Sequence, residues 1–164
     1  MPNLFEPEWD GGQDRRGFTY RRVKLGAQAG AEHLGASLYE LPPGETAFPY
    51  HWHSGNEELL IVVAGQPSLR TEDGWRELRE GEVVSFPRGQ GGAHQVSNRS
   101  SEPARMLVIS EMNAPEVVAQ PDSGKLLAAT RPPGGVTREG DFFGTFRRSD
   151  EVDYWDGEEP PEPG

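Results

Sequence analysis

Glycine and proline divide this chain so closely that almost no stretch is long enough for a stable helix. There are 21 glycines and 15 prolines in 164 residues, and the runs between them are short and rich in β-branched and aromatic side chains. The predicted strands are Phe18–Leu25, Leu34–Leu41, Ala47–His53, Leu59–Ala64, Ser68–Thr71, Trp75–Leu78, Val83–Phe86, Gln95–Asn98 and Arg105–Glu111. Turn residues separate them, including Pro43-Gly44, Ser54-Gly55-Asn56 and Asp73-Gly74. No convincing amphipathic helix is visible, so the pattern is all-β, a sandwich or barrel. Leu59–Val63 is apolar at every position and is expected to be buried on both faces, which requires a cover: the N-terminal strands, the extension after Asn113, or a second subunit.

The length suits one domain with its own core. The expected division is an N-terminal arm over 1–16, a barrel over 17–115 and a wrapping C-terminal extension over 116–164. The aromatic cluster Phe142, Phe143 and Phe146 is expected to dock on the barrel. The acidic tail Glu158–Gly164 has too little apolar surface to offset its ordering entropy and is expected to be disordered. Absence of cysteine excludes disulfides, thiolate metal sites and cysteine nucleophiles, so any metal must take nitrogen and oxygen ligands. A formal charge of −11 disfavours nucleic acid and anionic membranes as partners. The first residues lack a basic start and an apolar stretch, and no segment reaches the roughly 20 apolar residues that span a bilayer, so a cytoplasmic location is expected. Arg15, Arg16, Arg21, Arg22 and Lys24 form a basic cluster that could attract the whole acidic C-terminal stretch SDEVDYWDGEEPPEPG, residues 149–164.

His51 and His53 stand one residue apart on a predicted strand, and the two-residue strand period turns both imidazoles to one face. A tight Ser-Gly-Asn turn and the next strand then bring a carboxylate within reach across a hairpin. Alternation with Leu60 and Val62 favours Glu58 as that ligand, with Glu57 as the fallback. A glycine-rich loop and a further strand are expected to deliver His94 to the same interior. Imidazoles with a carboxylate suit one divalent metal ion among iron, manganese, nickel, copper and zinc.

The run Gly44…HWHSGNEE…Gly65 resembles the first cupin motif, with HxH, a Glu after four intervening residues and a Gly after six more. Gly81…PRG…His94…Asn98 resembles the second. Gly44 lies one residue further from His51 than in the usual pattern, and the loop before His94 is two residues longer than the commonest form. The resemblance covers about residues 44–111. It implies a double-stranded β-helix, a homodimer, and His51, His53, Glu58 and His94 as metal ligands. PDSGK at 121–125 and DYWDGE at 153–158 are similar to features of a bacterial group of conserved-barrel cupins, some called sugar isomerase-like.

Tyr39, Phe48, Tyr50, Phe86, Val96 and Met106 are expected to line or cap a small apolar cavity that admits a small-molecule substrate. Glu57 and Tyr50 are the candidates for acid and base help in catalysis. Arg88 is a candidate anion contact, Asn98 a brace for the second motif, His33 a surface residue and Gly89–Gly92 a mobile loop at the barrel mouth. The function expected is that of a metal-dependent enzyme of oxygenase or isomerase and lyase type. The alternatives are a non-catalytic binding module and a barrel stapled by its metal.

Overall fold

The computed structural model describes residues 1–133, 135 and 138–160 of the chain. The fold is all-β, and the described residues form thirteen strands, one helical turn, α1 (Leu25–Gln28), and three short 3-10 turns. The strands are β1 (Gly11–Arg15), β2 (Phe18–Val23), β3 (Leu34–Leu41), β4 (Trp52–His53), β5 (Glu58–Ala64), β6 (Ser68–Thr71), β7 (Gly74–Glu77), β8 (Val83–Phe86), β9 (Gln95–Ser97), β10 (Ala104–Glu111), β11 (Glu116–Gln120), β12 (Lys125–Ala129) and β13 (Phe143–Arg147). Every pairing is antiparallel. One six-stranded sheet runs β1-β2-β3-β10-β5-β8, a four-stranded sheet runs β13-β12-β11-β4, and a three-stranded sheet runs β7-β6-β9. This is the double-stranded β-helix architecture. The core is packed between the walls, with Leu41, Leu60, Val62, Phe86 and Met106 from the six-stranded sheet meeting Leu69 and Val96 from the opposite side.

The predicted strand Ala47–His53 is interrupted. Pro49 has no N–H to give a ladder, and only Trp52–His53 is regular strand. Isolated bridges Thr46↔Ser97 and His51↔His94 carry the rest of the pairing. The expected hairpin between the histidine strand and the glutamate strand is not formed. β4 pairs with β11, and β5 pairs with β10 and β8, so residues 54–57 cross from one wall of the barrel to the other. Strands β1, β11, β12 and β13 have no counterpart among the predicted strands.

Leu60 and Val62 are buried, but Leu59, Ile61 and Val63 on the outer face are only half covered. β1 and β2 extend the sheet beside β3 and the C-terminal strands pair in the other sheet, while α1 packs on β3, where Gly26 meets Ala36 and Leu38 is fully buried. The phenylalanine cluster also departs from expectation. Phe142, Phe143 and Phe146 remain about half exposed, and Phe142 and Phe146 stack on each other with centroids 5.9 Å apart. Of the basic cluster, Arg21 pairs with Glu40, and among the described residues no ion pair joins Arg15, Arg16, Arg21 or Arg22 to the acidic tail. Within that tail, residues 161–164 lie outside the described residues, and Glu158, Glu159 and Pro160 are exposed.

Candidate metal centre

His51 and His53 enter the interior from one wall and Glu58 from the other. Two backbone hydrogen bonds hold His51 against His94: the His51 N–H donates to the His94 carbonyl at 3.0 Å, and the His94 N–H to the His51 carbonyl at 2.9 Å. The loop before His94 folds as a 3-10 turn, Gln90–Gly92, and the Gly89 N–H donates to the His53 carbonyl at 2.7 Å. Gly92 is needed there, because a Cβ would stand 1.8 Å from the Pro87 carbonyl oxygen. His94 also stacks on Phe86, with centroids 3.7 Å apart.

The donor atoms converge. His51, His53 and Glu58 each present one ligand atom within 4.8 Å of the others. Glu58 Oε2 lies 3.5 Å from His53 Nε2 and 3.4 Å from His94 Nε2. Two donors each bound at about 2.1 Å to one ion stand roughly 3.0–3.4 Å apart, so these separations need little adjustment. The far nitrogens are held. His51 Nδ1 meets the Pro49 carbonyl and His94 Nδ1 the Gly92 carbonyl, both at 2.9 Å, which makes each Nδ1 the protonated nitrogen and leaves Nε2 with its lone pair facing inward. Burial, with repulsion from neighbouring imidazoles, lowers the His51 pKa to about 3, and burial lowers that of His94 to about 4. Both are therefore neutral at neutral pH, as ligation requires. For His53, burial opposes charging, but the hydrogen bond to Glu116 and the charges of Glu58 and Glu116 outweigh it and raise its pKa. Burial raises the Glu58 carboxyl, partly offset by His53. The mutually close donors His51, His53 and Glu58 could hold a divalent ion, and His94, which meets Glu58 at 3.4 Å, stands outside that group.

A cavity of about 50 Å³ adjoins the donors, lined by Tyr39, Phe48, His51, Glu58, Phe86 and His94 among others. Val96 and Met106 line it as expected. Tyr50 is buried elsewhere, under the Arg70 guanidinium 4.2 Å from its ring, and is not among the lining residues. Glu57 is exposed and its N–H donates to Glu111 Oε2. Arg88 is exposed and pairs with Glu111 at 2.6 Å. Asn98 is fully buried and braces the second motif, donating to the Leu41 and Glu102 carbonyls at 2.9 and 2.8 Å. His33 is exposed.

Two polar groups at the site carry no sequence signal of a chemical role. Tyr39 has its hydroxyl near Ser37 and Glu58, and burial foremost pushes its pKa up to about 12, so it is a neutral phenol that can donate a proton or hydrogen bond. Glu116, 2% exposed, lies behind His53. The inward register of Tyr39 is visible in the sequence, whereas nothing local marks Glu116.

Residues 37–110 match the cupin domain family model. A putative sugar phosphate isomerase from Acidithiobacillus ferrooxidans is 28% identical, with 84% of this chain and 81% of that one aligned at a TM-score of 0.71. A sugar phosphate isomerase of the cupin superfamily from Silicibacter pomeroyi is 22% identical over 95% of this chain and 98% of that one, with a TM-score of 0.76, a likeness of fold. No curated protein matches the sequence.

Proposed function

We propose that this chain, whose residues 37–110 form a cupin domain, is a small-molecule metalloenzyme with one divalent ion held by His51, His53, Glu58 and His94. The observation that carries the reading is the convergence of imidazole nitrogens on one glutamate, with the opposite ring nitrogens of His51 and His94 engaged. When bound, the ion supplies Lewis acidity toward substrate oxygens. Among metal-dependent reactions, isomerisation is favoured over oxygenation by similarity to the Acidithiobacillus ferrooxidans protein. The chain's own groups suit that chemistry: Phe48 and Phe86 exclude water, and the neutral Tyr39 phenol can hold or return a proton.

The cavity volume supports a second reading, a barrel stapled by its metal, because about 50 Å³ holds only a few water molecules. A sugar-sized ligand must then extend into the mouth beyond the donors. The outer face of the six-stranded sheet favours a homodimer. Leu59, Ile61, Leu107 and Ile109 lie side by side there, flanked by Leu34 and Val83 at 56% and 57% exposure. Among the described residues no helix is long and apolar enough to cross a membrane. The proposal includes a cytoplasmic location and, from the charge of −11, no nucleic-acid partner.

The test is metal content of protein purified without added metal or a histidine tag, beside the His51→Ala, His53→Ala double variant. About one equivalent, lost in the variant, supports the site. Protein that neither carries metal nor takes up iron, manganese, nickel or zinc refutes it. Manganese-loaded protein then separates enzyme from staple: fast water-proton relaxation marks an open coordination position, and its absence favours the staple.

A further inference from the structure

We infer that Glu116 is the positioning residue of this centre: its buried carboxylate fixes the tautomer of His53, so that the C-terminal sheet completes a site whose ligands all lie within the cupin domain. This rests on the metal-binding reading for its consequence, though not for its geometry.

Glu116 opens β11, directly after Pro115, and β11 is the strand that pairs with β4. Its Oε1 accepts the Gly55 N–H at 3.0 Å, the Ser54 N–H at 3.2 Å and the Ser54 hydroxyl at 3.3 Å. Its Oε2 accepts the side-chain amide of Asn56, itself 1% exposed, and faces His53 Nδ1 at 3.4 Å. Asn56 is fixed in turn, its Oδ1 accepting the Asn113 N–H at 2.7 Å. The Ser-Gly-Asn turn between the histidines and Glu58 is thus wrapped around one carboxylate. A buried carboxylate is tolerated only when donors surround it, and here His53 is the donor that no other group satisfies. Its Nδ1 is buried with no closed hydrogen bond among the described residues, and the acceptor it faces is Glu116 Oε2 at 3.4 Å.

The contrast with the other two imidazoles is specific. His51 and His94 give their Nδ1 protons to backbone carbonyls, which no side-chain substitution removes. His53 depends on a side chain 63 positions along the chain. A carboxylate that accepts from Nδ1 holds the proton there, leaves Nε2 bare toward the site and raises its basicity. The Glu116→Gln change keeps the shape and reverses this. Its carbonyl oxygen is drawn to the three Ser54 and Gly55 donors at the Oε1 position over the single Asn56 amide at the other, which places an amide NH2 opposite His53 Nδ1. That nitrogen must then accept, and the proton moves to Nε2, where it blocks ligation.

The experiment is 15N-resolved NMR of the imidazoles in metal-free protein, at a pH where they are neutral, with metal affinity measured by competition against a chelator. The wild type is expected to show His53 as the Nδ1–H tautomer, and E116Q as the Nε2–H tautomer with affinity weakened about 10–100-fold. Leu78→Ala, in the core and away from the donors, serves as a control for destabilisation alone and is expected to leave tautomer and affinity unchanged. An Nε2–H tautomer in the wild type, or a folded E116Q with unchanged tautomer and affinity, overturns the inference. The wild-type spectrum remains decisive even if E116Q does not fold. Wild-type protein that binds no metal but shows the expected tautomers defeats the metal reading and leaves the geometric assignment standing.

Discussion

Metal-free protein is expected to lose stability sharply on mild acidification, and the buried imidazoles set the size of the loss. His51 and His94 have pKa values of about 3 and 4, against about 6.5 in an unfolded chain. Their folded-state values are depressed, so between these limits the unfolded chain binds more protons and stability falls as pH falls. From about pH 7 to pH 5 the linkage relation gives roughly 2 kcal/mol per imidazole. His53 and Glu58 work the other way, because their raised pKa values make protonation favour the folded state, so the net loss lies below the roughly 4 kcal/mol of the two imidazoles together. Glu116, depressed to about 2, stays ionised across this window and contributes loss only in stronger acid. Urea unfolding followed by the fluorescence of the four tryptophans, with chelator present, measures the difference. Replacing His94 by Gln should remove about 2 kcal/mol of it. A pH dependence of the same size in that variant as in the wild type would refute the argument that burial keeps His94 neutral.

Three further outcomes are expected. Asn98→Ala removes the amide that bridges Leu41 and Glu102 and the acceptor for Ser100, and should cost about 2–4 kcal/mol in urea unfolding while the folded variant still binds metal. Gly92→Ala pushes a Cβ into the Pro87 carbonyl and displaces the loop that delivers His94, so chelator competition should show metal affinity lower by about tenfold or more. Ile61→Arg places a charge in the outer apolar face, and sedimentation should show a dimer become monomer with the far-ultraviolet spectrum unchanged.

The donor residues are legible in the sequence because they follow local rules. One-residue spacing on a strand sets His51 and His53 to one side, and alternation with Leu60 and Val62 turns Glu58 inward. Both rules survive the interruption at Pro49, since the period of two holds wherever the backbone stays extended. The expected hairpin fails for the same reason it is attractive. A short turn between two strands usually joins neighbours, but here β11 takes the edge of β4 and Glu116 holds the turn, so the chain crosses between sheets. Neither partner is near in sequence. β11 and β12, with their valines, leucines and alanines, lie within a segment whose glycine, proline and charge read as an extension. The value of Glu116 lies wholly in tertiary contacts, so no period or motif could mark it.

The way the donors are distributed links this chemistry to stability. His51 and His53 belong to the segment that pairs with the C-terminal sheet, His94 directly precedes β9 of the three-stranded sheet, and Glu58 opens β5 of the six-stranded sheet. An ion bound by all four ties three sheets at one point, and opening any of them costs at least one ligand. Such an ion binds the folded chain and not the unfolded one, so free metal at about 1,000 times its dissociation constant should stabilise the fold by about 4 kcal/mol. That gain should disappear in the His51→Ala, His53→Ala variant and shrink in Glu116→Gln in proportion to the logarithm of its lost affinity. A melting temperature of the wild type that does not respond to any divalent metal would mean that the four side chains converge without holding an ion.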